Sequence, residues 1–255
     1  MTTATLSSDV RSRIFASAPI VGFGLAVIAV VLLALAPIGW RAGWWHYRTS
    51  FFYLMTYAGY AGLAALIISA LGLLGIRSIG RRGLVMALIG LVVGAGFAYV
   101  PWHWNQLRTT VPPIHDITTD FTNPPEFSAV LPARIAEEGN PVTYDSKVGE
   151  QQKQAYGDIA PVTLALPPPE AFKRALDAAN AKGWAIVATD PASGRIEASD
   201  TSFWFRFTDD ISVRVTATGS ASRIDVRSVS RQGRSDFGVN AARIRGYTAA
   251  LRAAG

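Results

Sequence analysis

The stretch SRIDVRSVSRQGRSDFGVNAARIR, Ser222 to Arg245, places six arginines and two aspartates in 24 residues. A guanidinium offers a planar fork of donors that matches a carboxylate or a phosphate, so the chemistry this spacing suggests is recognition of an anion. Arg223, Asp225 and Arg227 recur at the two-residue period of one strand face. The competing reading is a solvated ladder of ion pairs, each worth little. Arg231, Arg234 and Arg243 are expected to gather at the start of a final helix, where unpaired N–H groups already favour an anion. Ser235 or Asp236 would cap that helix. Asn240, one turn later on the face of Ile244 and Tyr247, is assigned to a buried backbone group or a ligand. The candidate binding residues are Arg206, Arg214, Arg227, Arg231, Asn240 and Arg243.

A second group, His115, Asp116 and Asp120, has the residue types of an acid–base or metal site. Neighbouring residues of an extended segment point apart, and no further histidine or glutamate stands at ligand spacing, which favours turn capping. Ser228, Ser230 and Ser235 lack the context of a nucleophile elbow, and no phosphate-loop pattern occurs. The chain has no cysteine, which removes disulfides, thiol catalysis and thiolate-bound zinc. No catalytic residue, no metal and no cofactor is expected.

The elements that position these residues follow from hydropathy and charge. A mean hydropathy of +0.24 over 255 residues is too high for an ordinary soluble chain. Residues 1–108 carry eight arginines and one acid, a net charge of +7, whereas residues 109–255 carry 16 basic and 17 acidic side chains, a net charge of −1. The basic excess therefore lies in the apolar half, and nucleic acid, whose binding rests on phosphate neutralisation, is not an expected partner. Pro19 to Gly39, Phe51 to Ile76 and Gly83 to Val100 contain no ionisable group except tyrosine, and each is close to the roughly 20 residues that a membrane crossing requires. Ala34 to Ala36 resembles a signal-peptide cleavage site, but the apolar run is too long and Pro37 follows, so the first span is expected to be retained. Spans free of charge read as an anchor without a proton or ion path. Gly90 and Gly94, or Ala58 and Gly62, would let helices approach closely, within one chain or in a dimer.

Arg11, Arg13, Arg77, Arg81 and Arg82 stand on one side of these spans, and Arg41, Arg48 and Arg108 on the other. The positive-inside bias then puts the amino terminus in the cytoplasm of a bacterial inner membrane and the chain after Val100 in the periplasm. Trp40, Trp44, Trp45, Tyr47, Tyr99, Trp102 and Trp104 form an aromatic belt on that outer side.

Residues 109–160 read as linker and irregular loops. From residue 161 the pattern is regular: VTLAL as a strand, PPPEAFKRALDAANAKG as a helix closed by Gly183, then WAIVATD, GRIEASD, FWFRFTD, ISVRVTA and SRIDVRSVS as an antiparallel meander, and a carboxy-terminal helix. Alternation puts Phe203, Phe205, Phe207, Ile211, Val213, Val215, Ile224 and Val226 on an inner face. Arg195, Glu197, Trp204, Arg206, Arg214, Arg223, Asp225, Arg227 and Arg231 fall on an outer one. The fold class is three transmembrane α-helices followed by an α+β domain whose antiparallel sheet has helices on one face.

IHDITTD, NPPEF, AYGDIAP, GWAIV, GRIEASDTSFWFRFTDD and, most specifically, SRIDVRSVSRQGRSDFGVNAARIR resemble the domain of unknown function 1499 family. The resemblance covers most of residues 109–255 and extends to the family's membrane-anchored members. It implies a bacterial envelope protein and supplies no catalytic residues.

Three functions remain in view. One is an anchored module whose outer domain binds an anionic ligand, a lipid headgroup or an envelope protein partner. Another is an envelope enzyme using His115, Asp116 or Asp120 with arginines as electrophilic stabilisers, which requires those groups around one pocket. The last is an accessory subunit of a larger envelope complex.

Overall fold

The computed structural model describes residues 8–75 and 79–253, with side-chain environments from Phe15 onward. The chain divides into two compact units at the Gln106–Leu107 bond.

The first unit is helical. It comprises α1 (Ser8–Arg41), a short α2 (Tyr47–Thr49) leading through a π-helical turn (Ser50–Leu54) into α3 (Met55–Leu74), and all but the last four residues of α4 (Arg81–Thr110). Phe15–Arg41, Tyr47–Leu74 and Arg81–Thr110 are each long and apolar enough to cross a membrane. Helix α4 runs past the expected end at Val100 and through Pro101, since a proline removes only one backbone donor and membrane helices tolerate that loss. Arg77 lies outside the described residues, and Arg11 and Arg13 precede those whose side chains are described.

Small residues set the packing. Along α3 the buried positions are Ala58, Gly62, Ala65, Ser69 and Gly72, a stripe at alternating three- and four-residue steps. Gly75 lies against Phe15, Gly72 against Pro19 and Gly22 against Ser69, and Ser50 Oγ donates to Ala36 O at 2.6 Å, so α1 and α3 are antiparallel. Gly94 meets Gly62 and Leu66, and Gly90 meets both Gly22 and Ser69, which places α4 antiparallel to α3 and alongside α1. A Cβ on Gly22 or on Gly90 would collide with Ser69 Oγ. The small-residue motif therefore holds three helices of one chain together at van der Waals distance.

The second unit is a six-stranded antiparallel sheet built from β1 (Asp116–Thr118), β2 (Val162–Leu164), β3 (Ala185–Asp190), β4 (Arg195–Thr201), β5 (Thr208–Thr218) and β6 (Ala221–Ser230). Its order is β1-β6-β5-β4-β3, with β2 also paired to β6. Two helices, α7 (Pro168–Ala181) and α8 (Val239–Ala253), pack on the face of Ile211, Val213, Val215, Ile224 and Val226 and complete the main core. Trp184 stacks on Tyr247 at 4.8 Å, and the buried Tyr247 hydroxyl donates to Ala175 O, which satisfies its one polar atom. Helix α7 begins at the prolines and is followed by Gly183 in the left-handed region, φ 75°, as the sequence dictates.

Three features differ from the sequence reading. Residues 109–160 are part of the fold: they hold β1, the short α5 (Leu131–Ala136) and α6 (Ser146–Ala155), and Ile114 and Ile117 enter the main core. The strand is too short for a periodic signal, and its partners come from afar. Asp116 pairs with Val229, while on α6 the buried Gln152 side chain accepts from Thr118 N at 3.0 Å and donates to Thr118 O at 2.7 Å, acting as a substitute strand.

The second difference is FWFRF. It is the turn between β4 and β5, whose pairing closes at Thr201 and Thr208. Arg206 has a left-handed φ of 54°, and Phe203 and Trp204 are 74% and 68% exposed. Phe203, Phe205, Phe207 and Arg206 therefore do not occupy sheet faces. Their alternation imitated a strand, but the left-handed residue reverses the chain. The third is the arginine face, which is covered: residues 119–145 cross it, and Phe127 and Val130 pack on Val229 in a second small core.

Candidate functional site

The covered face carries a set of closed charge clusters. At one end of the sheet Asp210, fully buried, accepts from Arg134 Nη1 at 2.7 Å, Arg231 Nε at 2.9 Å, Arg231 Nη2 at 2.8 Å and Ser199 Oγ at 2.6 Å. Burial alone would raise its carboxyl pKa, but these donors and the charge of Arg231 bring it below the ordinary value, as expected when the ionised form is solvated by protein. Arg231 also meets Glu137. In the middle, Arg227 forms a bidentate pair with Asp116, 2.9 and 2.6 Å, donates to Val142 O, and lies over the rings of Phe127 and Tyr144. At the far end Arg214 and Arg223 share Asp120 and Asp225. Glu197 accepts from the backbone N–H groups of Ser128 and Val130 and from Ser128 Oγ, so it holds the loop entering α5.

On the helix face Arg243 pairs with Asp200 and Asp209. Asn240 accepts from Ser228 Oγ and donates to Ser230 Oγ and His115 O, which joins α8 to β6 and to the entry of β1. The helix is capped by Asp236, which accepts from Gly238 N and Asn240 N. Its burial, with the charge of Asp209 adding, keeps its pKa above the ordinary value despite those bonds.

The expected gathering of Arg231, Arg234 and Arg243 at this helix start is thus corrected. Arg231 and Arg243 side chains lie on opposite faces of the sheet with separate acids, and Arg234 is exposed. Alternation of side chains separates 231 from the helix face, and the helix start is occupied by its own cap. The ladder of Arg223, Asp225 and Arg227 exists, but Asp225 is buried and Arg227 takes Asp116 as its partner. His115, Asp116 and Asp120 do not converge. His115 Nδ1 lies 3.3 Å from Arg234 O, Asp116 is committed to Arg227, and Asp120 accepts from Thr122 N and Asn123 N as well as from its two arginines. Among the described residues no cluster of three or more His, Cys, Asp or Glu has a metal-binding arrangement.

One opening on the covered face combines space with donors. A cleft of about 200 Å³ is lined by Asn123, Pro125, Glu126, Arg195, Ser212 and Arg214. Arg195 and Arg214 are direct cross-strand partners, an arrangement that repels in the absence of counter-charge. Asp120 and Asp225 accept from Arg214 Nη2. Among the described residues Arg214 Nε is buried without a partner, and the Arg195 guanidinium donates to Ser128 Oγ at 3.3 Å. Arg214 was among the residues expected from sequence. Arg195 and Glu197 were placed only on the outer face, and Arg134 and Asp210, which pair across 76 residues, carried no signal.

No curated protein matches the sequence. The family described as protein of unknown function (DUF1499) matches residues 116–251, from the first residue of β1 to the last turn of α8, and the chain belongs to it.

Proposed function

We propose that the chain is a membrane-anchored binding module whose outer domain holds a compact anionic group, a carboxylate or a phosphate, between Arg195 and Arg214. The observation that carries this reading is the cross-strand pair of guanidinium side chains, Arg195 and Arg214, lining one cleft in which Arg195 is only weakly engaged. Two like charges directly opposite each other repel, and an oxyanion bound between them would screen the two guanidinium groups while accepting from their forked donors. Glu126 on the same wall disfavours a large polyanion. The other arginines serve a different purpose: Arg134, Arg227, Arg231 and Arg243 are matched to acids of the domain itself and make it rigid.

The three apolar helices supply the anchor. The arginine asymmetry of the short loops, five on the amino-terminal side against three, supports a cytoplasmic amino terminus and an outer domain in the periplasm. A reporter fused after Gly255 checks this: activity of a cytoplasmic type, at normal expression, would reverse the topology.

For the site, the full chain in lipid nanodiscs is melted with inorganic phosphate or a small dicarboxylate. An anion at 100 times its dissociation constant adds about 2.7 kcal/mol. Arg195→Gln should remove that shift while changing unliganded stability by less than about 0.5 kcal/mol. An unchanged shift in the variant, or no shift with either anion, refutes the site.

A further inference from the structure

We propose that the turn Ser202–Phe207 is a membrane-interface contact that docks the outer domain on the surface of the bilayer holding its own helices, with Phe203 and Trp204 among the headgroups and Arg206 on lipid phosphate. Four observations lead there. The two aromatics at the tip are the exposed ones, 74% and 68%, and they pack edge to face on each other at 5.3 Å. A phenyl and an indole beside a guanidinium are the side chains that settle where hydrocarbon meets headgroup.

The turn is built to hold them out. Ser202 N donates to Phe207 O at 2.8 Å, Arg206 N to Ser202 O at 3.1 Å, and Phe207 N to Ser202 Oγ at 2.9 Å. The tip is therefore a closed loop on a paired hairpin. Arg206 takes the left-handed conformation that glycine adopts without cost, and such strain in a non-glycine residue is characteristic of binding positions. Its guanidinium has no carboxylate partner among the described residues, although most arginines of this domain have one. The charge is open to an external phosphate.

The place in the sheet names the occupant. Asp116 of β1 pairs with Val229 near the end of β6, Ser230 pairs with Asp209, and Thr208 with Thr201. The chain thus enters the domain at the same end of the sheet from which the tip projects, two to three strand spacings away, roughly 10–15 Å. Five residues, 111–115, separate the end of α4 at Thr110 from β1, a reach of at most about 18 Å. A tether of this length leaves the tip within reach of a lipid surface. Arg234, also exposed, follows β6 at this end, and adds a second cation.

The chain has no cysteine, so single-site labelling is clean. The full chain carrying Trp204→Cys with an environment-sensitive fluorophore is placed in nanodiscs of phosphatidylcholine, with and without phosphatidylglycerol. A label at Ser193→Cys, in the turn at the opposite end of the sheet, serves as reference. The expected result is quenching at 204 by a nitroxide at a shallow acyl position, with several-fold protection from aqueous iodide relative to 193. Arg206→Glu should reduce the lipid quenching, most in the anionic discs. A label at 204 as open to iodide as that at 193 overturns the proposal. So does protection from iodide without lipid quenching, which would mean a protein contact. Because this label removes the tryptophan itself, a label at Phe203→Cys, which retains it, decides where the two disagree.

Discussion

Asp210→Asn tests whether the buried charges hold the sheet domain together. The substitution keeps the shape and removes the charge from a fully buried carboxylate that serves two guanidinium groups, Arg134 at 3% exposure and Arg231 at 6%. An amide also turns one acceptor oxygen into a donor facing other donors. What remains for Arg134 is the carbonyls of Asn140, Val229 and Ser230, and for Arg231 the partly exposed Glu137 and a long bond to Ser199 Oγ. Breaking a buried pair by removing one partner costs about 3–5 kcal/mol, most of it the penalty of the uncompensated charge. For a unit of this size each kcal/mol is roughly 2–4 °C, so the melting temperature should fall by roughly 6–20 °C. The assay is near-ultraviolet circular dichroism of the full chain in detergent micelles, whose aromatic signal includes the buried Trp184 and Tyr247. Adding Arg134→Met should recover part of the loss, since one unpaired cation disappears. A fall below about 1 kcal/mol, or additive effects of the two changes, would refute the reasoning.

The same carboxylate sets an acid limit. Its pKa in the folded chain lies below the ordinary 3.8, so its contribution is complete above that value and is lost as the pH falls through the folded pKa. Wild-type stability should drop in that acid range, and Asp210→Asn should show a shallower drop. Asp236 has the opposite sign: its raised pKa means that folding takes up a proton, so its contribution to stability grows as the pH falls from the folded pKa towards the ordinary one. Accordingly Asp236→Asn, which keeps one capping acceptor and removes a penalised charge, should cost less than Asp236→Ala, for which about 1 kcal/mol is expected, as read from paired thermal melts. Gly194, at φ 68° with Val215 O in the place a Cβ would take, should lose more than about 1 kcal/mol on change to Ala in a denaturant titration. Gly90→Leu should disrupt the helix bundle, because Gly22 and Ser69 occupy the space, and should show as aggregation on size-exclusion chromatography in detergent.

Local information determined much of this protein. Long runs without charge decide that helices form and that a bilayer can hold them, because the cost of an ionised group in hydrocarbon acts on each residue separately. Strands β3 to β6 and helices α7 and α8 follow from period and punctuation, and the inner positions Ile211, Val213, Val215, Ile224 and Val226 follow from alternation. The tertiary structure decided what the outer face means. Arg214, Arg227 and Arg231 have the pattern of an exposed ladder, and nothing in their neighbours tells that residues 119–145 cover them. Their acids are Asp120, Asp116 and Asp210, and two of those three lie in a segment with no periodicity of its own. Likewise FWFRF has the period of a strand, and only the closing pair Thr201 and Thr208 turns it into a tip. Charge pairing and loop closure act across the chain, over separations at which sequence order carries no geometric information.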